Sequence, residues 1–316
     1  MKLVTYRREG TTRLGGLSDD GVVDLQRAYR FVLKHKGEGD RAALEMPAEM
    51  RSLLAGGEIA LGRVKETLAV IHFLLKEKKD TAKWQSEGIY FPLNAVSLAP
   101  PVPNPGKIIC LGKNYKAHAE ETGGDIPTIP IVFARFASTL LGPYDPIPIP
   151  RASDKIDYEG EMAVVIGKRG RHIREEEAME HVAGYMILND VSARDYQQKT
   201  SQWTLGKNFD ASAPTGPALI TKEEVADPHN LDIRTIVSGD MLQDSNTSLL
   251  IFQIPYLIAY LSEVFALEPG DIISTGTPDG VGFVRKPPRF LKPGDRVRVE
   301  VSGLGFIDNP VIAEAL

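Results

Sequence analysis

The sequence predicts an α+β fold, mainly β, on three observations. Short β-branched, apolar runs separated by Gly- and Pro-rich turns fill the last two thirds of the chain. Helical periodicity is concentrated in the segment before them. Between the two textures lies a proline-dense connector, Ala99-Pro100-Pro101-Val102-Pro103-Asn104-Pro105-Gly106. A chain of 316 residues can bury a substantial core and predicts one large domain with a smaller companion. The expected division is a small N-terminal α+β domain over 1–98, a stiff linker over 99–106 and a second domain over 107–316.

The elements follow in order. Residues 1–30 read as short strands with turns, KLVTYR and then TTRLGGLSDDGVVDL, with Asp19-Asp20-Gly21 as a hairpin turn. From about Leu25 to Lys79 the pattern is helical, with Val64, Leu68, Ile71, Leu74 and Leu75 at helical spacing. The charged stretch at 76–80 is expected to be a solvated helix end, and His35 and His72 ordinary helix residues. Beyond the connector come the strand-like runs KIICLG, IVFAR, EMAVVIG, YMILND, GPALIT, LDIRTIVSG, DIISTG and RVRVEVSG. Short helices are expected only over 114–121, 174–182 and 254–265. Regular strand spacing with so few helices predicts a mainly antiparallel β roll or sandwich, not a doubly wound parallel sheet.

Composition narrows the function. Hydrophobic residues make up 42% and charged residues 25%, as in an ordinary soluble globular chain. A net charge of −5 gives no general electrostatic reason for a nucleic-acid partner. No apolar run approaches membrane-spanning length, and MKLVTYRREG lacks a signal-peptide core, so a cytoplasmic address is expected by default. A single cysteine, Cys110, excludes an intramolecular disulfide and any multi-cysteine metal site.

The chemistry centres on Asp157-Tyr158-Glu159-Gly160-Glu161, which leads into the apolar run Met162-Ala163-Val164-Val165-Ile166. Two carboxylates two residues apart in an extended chain point to one face. Leading into a buried strand they repel, and each is costly to desolvate unless something positive sits between them. A hard divalent cation, Mg²⁺, Mn²⁺ or Ca²⁺, suits such oxygens; an edge strand with both glutamates in water is the alternative. Asp190, at the tip of YMILND, is placed to be a third ligand. Arg194 and Gln197 follow it and could hold a carboxylate or carbonyl, unless Arg194 merely pairs with Asp195 or Asp190 on a surface turn.

His118 and Glu121 are i, i+3 neighbours on the expected helix. A carboxylate beside an imidazole raises its basicity and fixes its tautomer, as a general base requires, although such a pair can also be surface decoration. Thr122-Gly123-Gly124-Asp125 could hinge that helix as a lid. The glycine-rich Ser274-Thr275-Gly276-Thr277-Pro278-Asp279-Gly280 offers backbone N–H groups and the Thr277 hydroxyl to a carboxylate. Lys207 is either a substrate-facing ammonium or a plain surface lysine. The chain has no Gly-x-Ser-x-Gly, His-Glu-x-x-His or Gly-x-Gly-x-x-Gly, against a serine hydrolase, a zincin or a dinucleotide fold.

Taken in order, five motifs resemble the fumarylacetoacetate hydrolase family over roughly 107–310. They are Ile108-Ile109-Cys110-Leu111-Gly112-Lys113-Asn114-Tyr115 with His118; Asp157-Tyr158-Glu159-Gly160-Glu161; Asn189-Asp190-Val191-Ser192-Ala193-Arg194-Asp195 with Gln197; Gly206-Lys207; and Thr275-Gly276-Thr277-Pro278. The resemblance implies a mixed β-roll or sandwich catalytic domain, paired as a homodimer. It also implies an Mg²⁺ or Mn²⁺ site at Glu159, Glu161 and Asp190, and a His118–Glu121 dyad on a mobile lid with Lys207 as a further catalytic residue. Substrate contacts would come from Lys113, Tyr115, Arg194, Gln197, Gly276 and Thr277.

The resemblance implies a small-molecule substrate, a 2-oxo or β-diketo acid. The first functional reading is hydrolysis of a carbon–carbon bond in an acylpyruvate-like acid, with His118 and Glu121 activating water and the cation providing a sink for the electron pair. The second keeps the site and changes the reaction: decarboxylation or tautomerisation of oxaloacetate, or isomerisation or hydration of an unsaturated 2-oxo diacid from aromatic breakdown. A non-catalytic metabolite binder is the third, and the completeness of the triad, the dyad and Lys207 argues against it.

Overall fold

The structure is a computed structural model and describes residues 1–18, 20–78 and 81–315. Its backbone is a twelve-stranded sheet. Along its main path the order is Tyr90–Pro92, Gly21–Asp24, Thr11–Leu17, Lys2–Arg8, Ala213–Thr221, Val182–Asn189, Gly160–Ile166, Ile272–Ser274, Ile108–Gly112 and Ile131–Arg135. A second, five-stranded sheet runs Asp240–Asn246, Asp232–Val237, Arg296–Val301, Gly305–Ala313 and Ile147–Ile149.

The large sheet is buried on both faces, and the alternation of side chains along Gly160–Ile166 shows how. Met162, Val164 and Ile166 enter a core shared with Ile233, Val237, Val297 and Val299 of the five-stranded sheet. Ala163 and Val165 enter a second core with Leu53, Val64, Leu68 and Ile71 of the N-terminal helices. A strand covered on both sides reads as a continuous apolar run rather than an alternating one. Such a run is what MAVVI is.

Pairing is mainly antiparallel, as expected, with parallel contacts where Ile272–Ser274 lies beside Ile108–Gly112 and Gly305–Ala313 beside Ile147–Ile149. The expected short helices form as Lys116–Glu121, Ile254–Val264 and a 3₁₀ turn over Glu175–His181. Strands Asp240–Asn246 and Gly305–Ala313 went unread; the first is a polar edge strand and the second carries Pro310, so neither shows an apolar run.

Residues 1–98 are joined to the rest through the sheet itself: Lys2 and Leu3 pair with Ile220 and Leu219. The connector at 99–106 packs closely. Val102 is fully buried, Thr5 Oγ1 donates to Pro101 O at 2.8 Å, and Asn104 Nδ2 donates to Glu49 Oε2 at 3.1 Å. At the turn expected over 19–21, Asp19 lies outside the described residues, while Ser18 N donates to Gly21 O at 2.8 Å. Helix Gly57–Lys78 carries the start of the expected solvated end, and Lys79 and Asp80 lie outside the described residues. Among the described residues no helix is long and apolar enough to cross a membrane.

Candidate active site

The site forms where two paired strands end together. Gly160 lies opposite Asn189, so Glu159 and Glu161 at the start of one strand meet Asp190 at the end of the other. Two hydrogen bonds lock the junction: Glu159 N donates to Asn189 Oδ1 at 3.0 Å, and Asp190 N to Glu159 O at 2.8 Å. All three carboxylates are buried, and one oxygen of each lies within 4.8 Å of the others.

Their surroundings are strongly charged. Lys207 Nζ donates to Glu159 Oε2 at 2.7 Å and to Asp190 Oδ2 at 2.6 Å. Arg135 pairs with the other oxygen of Asp190. Arg194 reaches Glu159 Oε1 at 2.6 Å and Asp157 Oδ2 at 2.8 Å. Among the described residues Glu161 has no ion-pair partner; it accepts from Ser274 Oγ and from Gly276 N at 2.9 Å. Four buried carboxylates, with Asp157, therefore face three cations.

The ionisation equilibria follow. Burial opposes charge on Glu159, yet Arg194 and Lys207 outweigh it and hold the carboxyl below the usual carboxylate range. Burial and the charges of Asp190 and Glu159 push Glu161 well up, only partly offset by Ser274 and Lys207. Burial also raises Asp157, with Arg194 pulling against it. For Lys207 burial opposes the charge, and Asp190 and Glu159 more than restore it. Three converging hard oxygen donors, one of them starved of positive charge, fit a divalent cation of the Mg²⁺ or Mn²⁺ kind.

Beside this cluster, Lys116–Glu121 carries the dyad. His118 Nδ1 lies 2.8 Å from Glu121 Oε1, whose other oxygen accepts from Gly280 N at 2.9 Å. With Nδ1–H given to Glu121, Nε2 is left with the lone pair. A cavity of about 310 Å³ joins the parts: Lys113, His118, Glu159, Glu161, Arg194, Gln197, Lys207 and Thr277 all line it, with Phe133, Trp203 and Phe283 as apolar wall. An acid cluster, an imidazole and an ammonium in one partly apolar cavity can polarise a carbonyl and move a proton next to it.

The expected substrate contacts differ in their placement: Lys113, Arg194, Gln197 and Thr277 line the cavity, whereas Tyr115 and Gly276 do not. Tyr115 is 1% exposed, sits in the apolar core and does not line the cavity, because it starts the helix from the inward side. Gly276 gives its N–H to Glu161 at 2.9 Å, which places it against the carboxylate cluster. The Thr277 hydroxyl is bound between Gly160 O and Gln243 Nε2. Arg194 is neither a free fork nor a surface pair: its Nε and Nη2 are taken by acids and its Nη1 by Gln197 Oε1 at 2.9 Å. Sequence reasoning missed Arg135, Asp157 as a partner of Arg194, Ser274 and Gln243. A basic residue ending an apolar strand, as in IVFAR, was the one available signal for Arg135.

The family model described as fumarylacetoacetate (FAA) hydrolase, C-terminal, matches residues 107–312. A mitochondrial oxaloacetate tautomerase of Xenopus laevis is 48% identical over 269 residues, 84% of this chain and 79% of that one. Among solved structures, the fumarylacetoacetate hydrolase of Exiguobacterium antarcticum is 30% identical with a TM-score of 0.77, covering 99% of this chain and 100% of that one. A 5-carboxymethyl-2-hydroxymuconate delta-isomerase from Mycobacterium smegmatis is 31% identical with a TM-score of 0.71, covering both chains in full.

Proposed function

Since the chain belongs to the fumarylacetoacetate hydrolase family, we propose that it is an enzyme interconverting the keto and enol forms of a 2-oxo dicarboxylate such as oxaloacetate. The observation that carries this reading is that His118, paired with Glu121, lines the same cavity as Glu159 and Glu161 of the carboxylate cluster. The name of the Xenopus relative favours tautomerisation over cleavage of a carbon–carbon bond.

Glu159, Glu161 and Asp190 would hold Mg²⁺ or Mn²⁺, which when bound supplies a Lewis acid for the oxygen on which negative charge develops. The protein's own groups handle the proton. His118 Nε2 would take the proton from C3 of the keto acid, the C–H electron pair becoming the C2=C3 double bond as the carbonyl oxygen gains the charge, and the imidazolium would return a proton to that oxygen to give the enol and free the base. Glu121 stabilises the imidazolium so formed through its 2.8 Å contact with Nδ1. Lys207 has two of its three ammonium hydrogens engaged by Glu159 and Asp190, leaving the third for an oxygen of the substrate. Phe133, Trp203 and Phe283 give the cavity an apolar wall beside these groups.

Hydrolysis of an acylpyruvate-like acid is the second reading, favoured by the likeness to the Exiguobacterium hydrolase. It needs the same dyad to activate a water. Pairing as a homodimer, as the family resemblance implies, belongs to the same proposal. The test is the decay of enol absorbance of oxaloacetate in the presence of Mg²⁺, alongside acylpyruvates and unsaturated 2-oxo diacids. Wild type should speed ketonisation, and His118→Ala should lower turnover on the order of 10²- to 10⁴-fold. No acceleration of ketonisation, with acylpyruvates cleaved instead, would select hydrolysis.

A further inference from the structure

Three long cationic side chains line the cavity, and two are already held by carboxylates: Lys207 by Glu159 and Asp190, Arg194 by Asp157 and Glu159. The third, Lys113, is half-buried in the same wall and has no hydrogen-bond or ion-pair partner among the described residues. Its placement is built, not incidental. Lys113 holds a left-handed backbone (φ 54°), uncommon for a non-glycine residue, at the turn between Ile108–Gly112 and Lys116–Glu121. Its ammonium rests on Gly124: a Cβ added there would come within 2.1 Å of Lys113 Nζ. The glycine therefore provides the seat that the lysine occupies beside the cavity.

An ammonium in a cavity wall with no counter-charge complements an anion brought by the ligand. The carboxylate cluster and Lys207 account for one end of a 2-oxo acid. We infer that Lys113 reads the second, distal carboxylate, so that the protein selects 2-oxo dicarboxylates over 2-oxo monoacids. This rests on the reading of the site given above and names its specificity determinant.

Two ligands separate the ends. Oxalate offers the chelating end alone; 3,3-dimethyloxaloacetate offers both carboxylates and has no C3 proton to lose. Calorimetric titration of the full-length protein with each, in Mg²⁺, should show Lys113→Met weakening the diacid about 10- to 100-fold, the worth of a hydrogen bond to a charged group. Oxalate binding should change by less than about threefold, which also shows that the variant folds. Lys113→Arg should restore most of the diacid affinity. In turnover, Lys113→Met should raise KM for oxaloacetate while kcat falls little. Equal weakening of both ligands would place Lys113 at the chelating end and overturn the inference, as would unchanged diacid affinity. Lysine-dependent diacid binding without tautomerisation would uphold the inference and sink the proposed reaction instead.

Discussion

Glu161 is the residue on which the site's electrostatics turn. Glu159 and Asp190 each have cations against them, whereas Glu161 has a hydroxyl and a backbone N–H, and burial with two neighbouring carboxylates drives its proton affinity up. A divalent ion can bind there only as that proton leaves, so apparent Mg²⁺ affinity should rise with pH. The stability of the metal-free protein should move the other way. The folded state keeps a proton that the unfolded chain releases above about pH 4.3, so stability falls as pH rises from there toward the raised folded value. Thermal unfolding of metal-free wild type against Glu161→Gln should show a steeper loss in the wild type, since Asp157, which burial also raises, remains in both. Equal pH dependence in both would contradict it. At this scale the pair Glu159 and Glu161 was legible from two-residue spacing ahead of an apolar run. Arg135 was not, because its partner Asp190 stands 55 residues away and no local pattern announces the pairing.

Among the elements, strand Gly160–Ile166 sets how closely the two sheets approach at the site. A Cβ on Gly160 would lie 2.2 Å from Thr235 Oγ1 and 2.9 Å from Val299 Cγ1, both on the five-stranded sheet. Only a bare backbone fits there, and Gly160 N donates to Gln243 Oε1 across the same gap at 3.0 Å. Gly160→Ala should therefore cost roughly 1–3 kcal/mol of stability through overpacking. It should also weaken Mg²⁺ binding, since Glu159 and Glu161 flank the displaced residue. Denaturant unfolding and calorimetry would check both, and an alanine variant of wild-type stability would show that the sheets have slack. Most strands beyond the connector were readable from their apolar runs. Their pairing was not: that Gly160 meets Asn189, or that Ile272–Ser274 lies parallel to Ile108–Gly112, depends on long-range register that composition does not carry.

Across the whole molecule, the site draws on Lys113 to Glu121, Arg135, Asp157 to Glu161, Asp190 to Arg194, Lys207 and Ser274 to Gly280, brought together by the large sheet and by a two-stranded pairing of Ile156 and Asp157 with Ala193 and Ser192. The change of texture at 99–106 suggested a boundary, yet Lys2–Arg8 extends the large sheet and Leu3 shares a core with Val165 and Leu219. Sequence patterns report local burial, and a strand from the start of a chain that completes a distant sheet leaves no trace in them. We propose that these dispersed pieces enclose one divalent cation between three carboxylates. The most direct test is titration of the metal-free protein with Mn²⁺, followed by electron paramagnetic resonance, in wild type and in Glu159→Gln, Glu161→Gln and Asp190→Asn. One ion per chain is expected in the wild type, with affinity lowered at least about tenfold in each variant. Undiminished Mn²⁺ binding in all three variants would show that the carboxylates do not hold the ion.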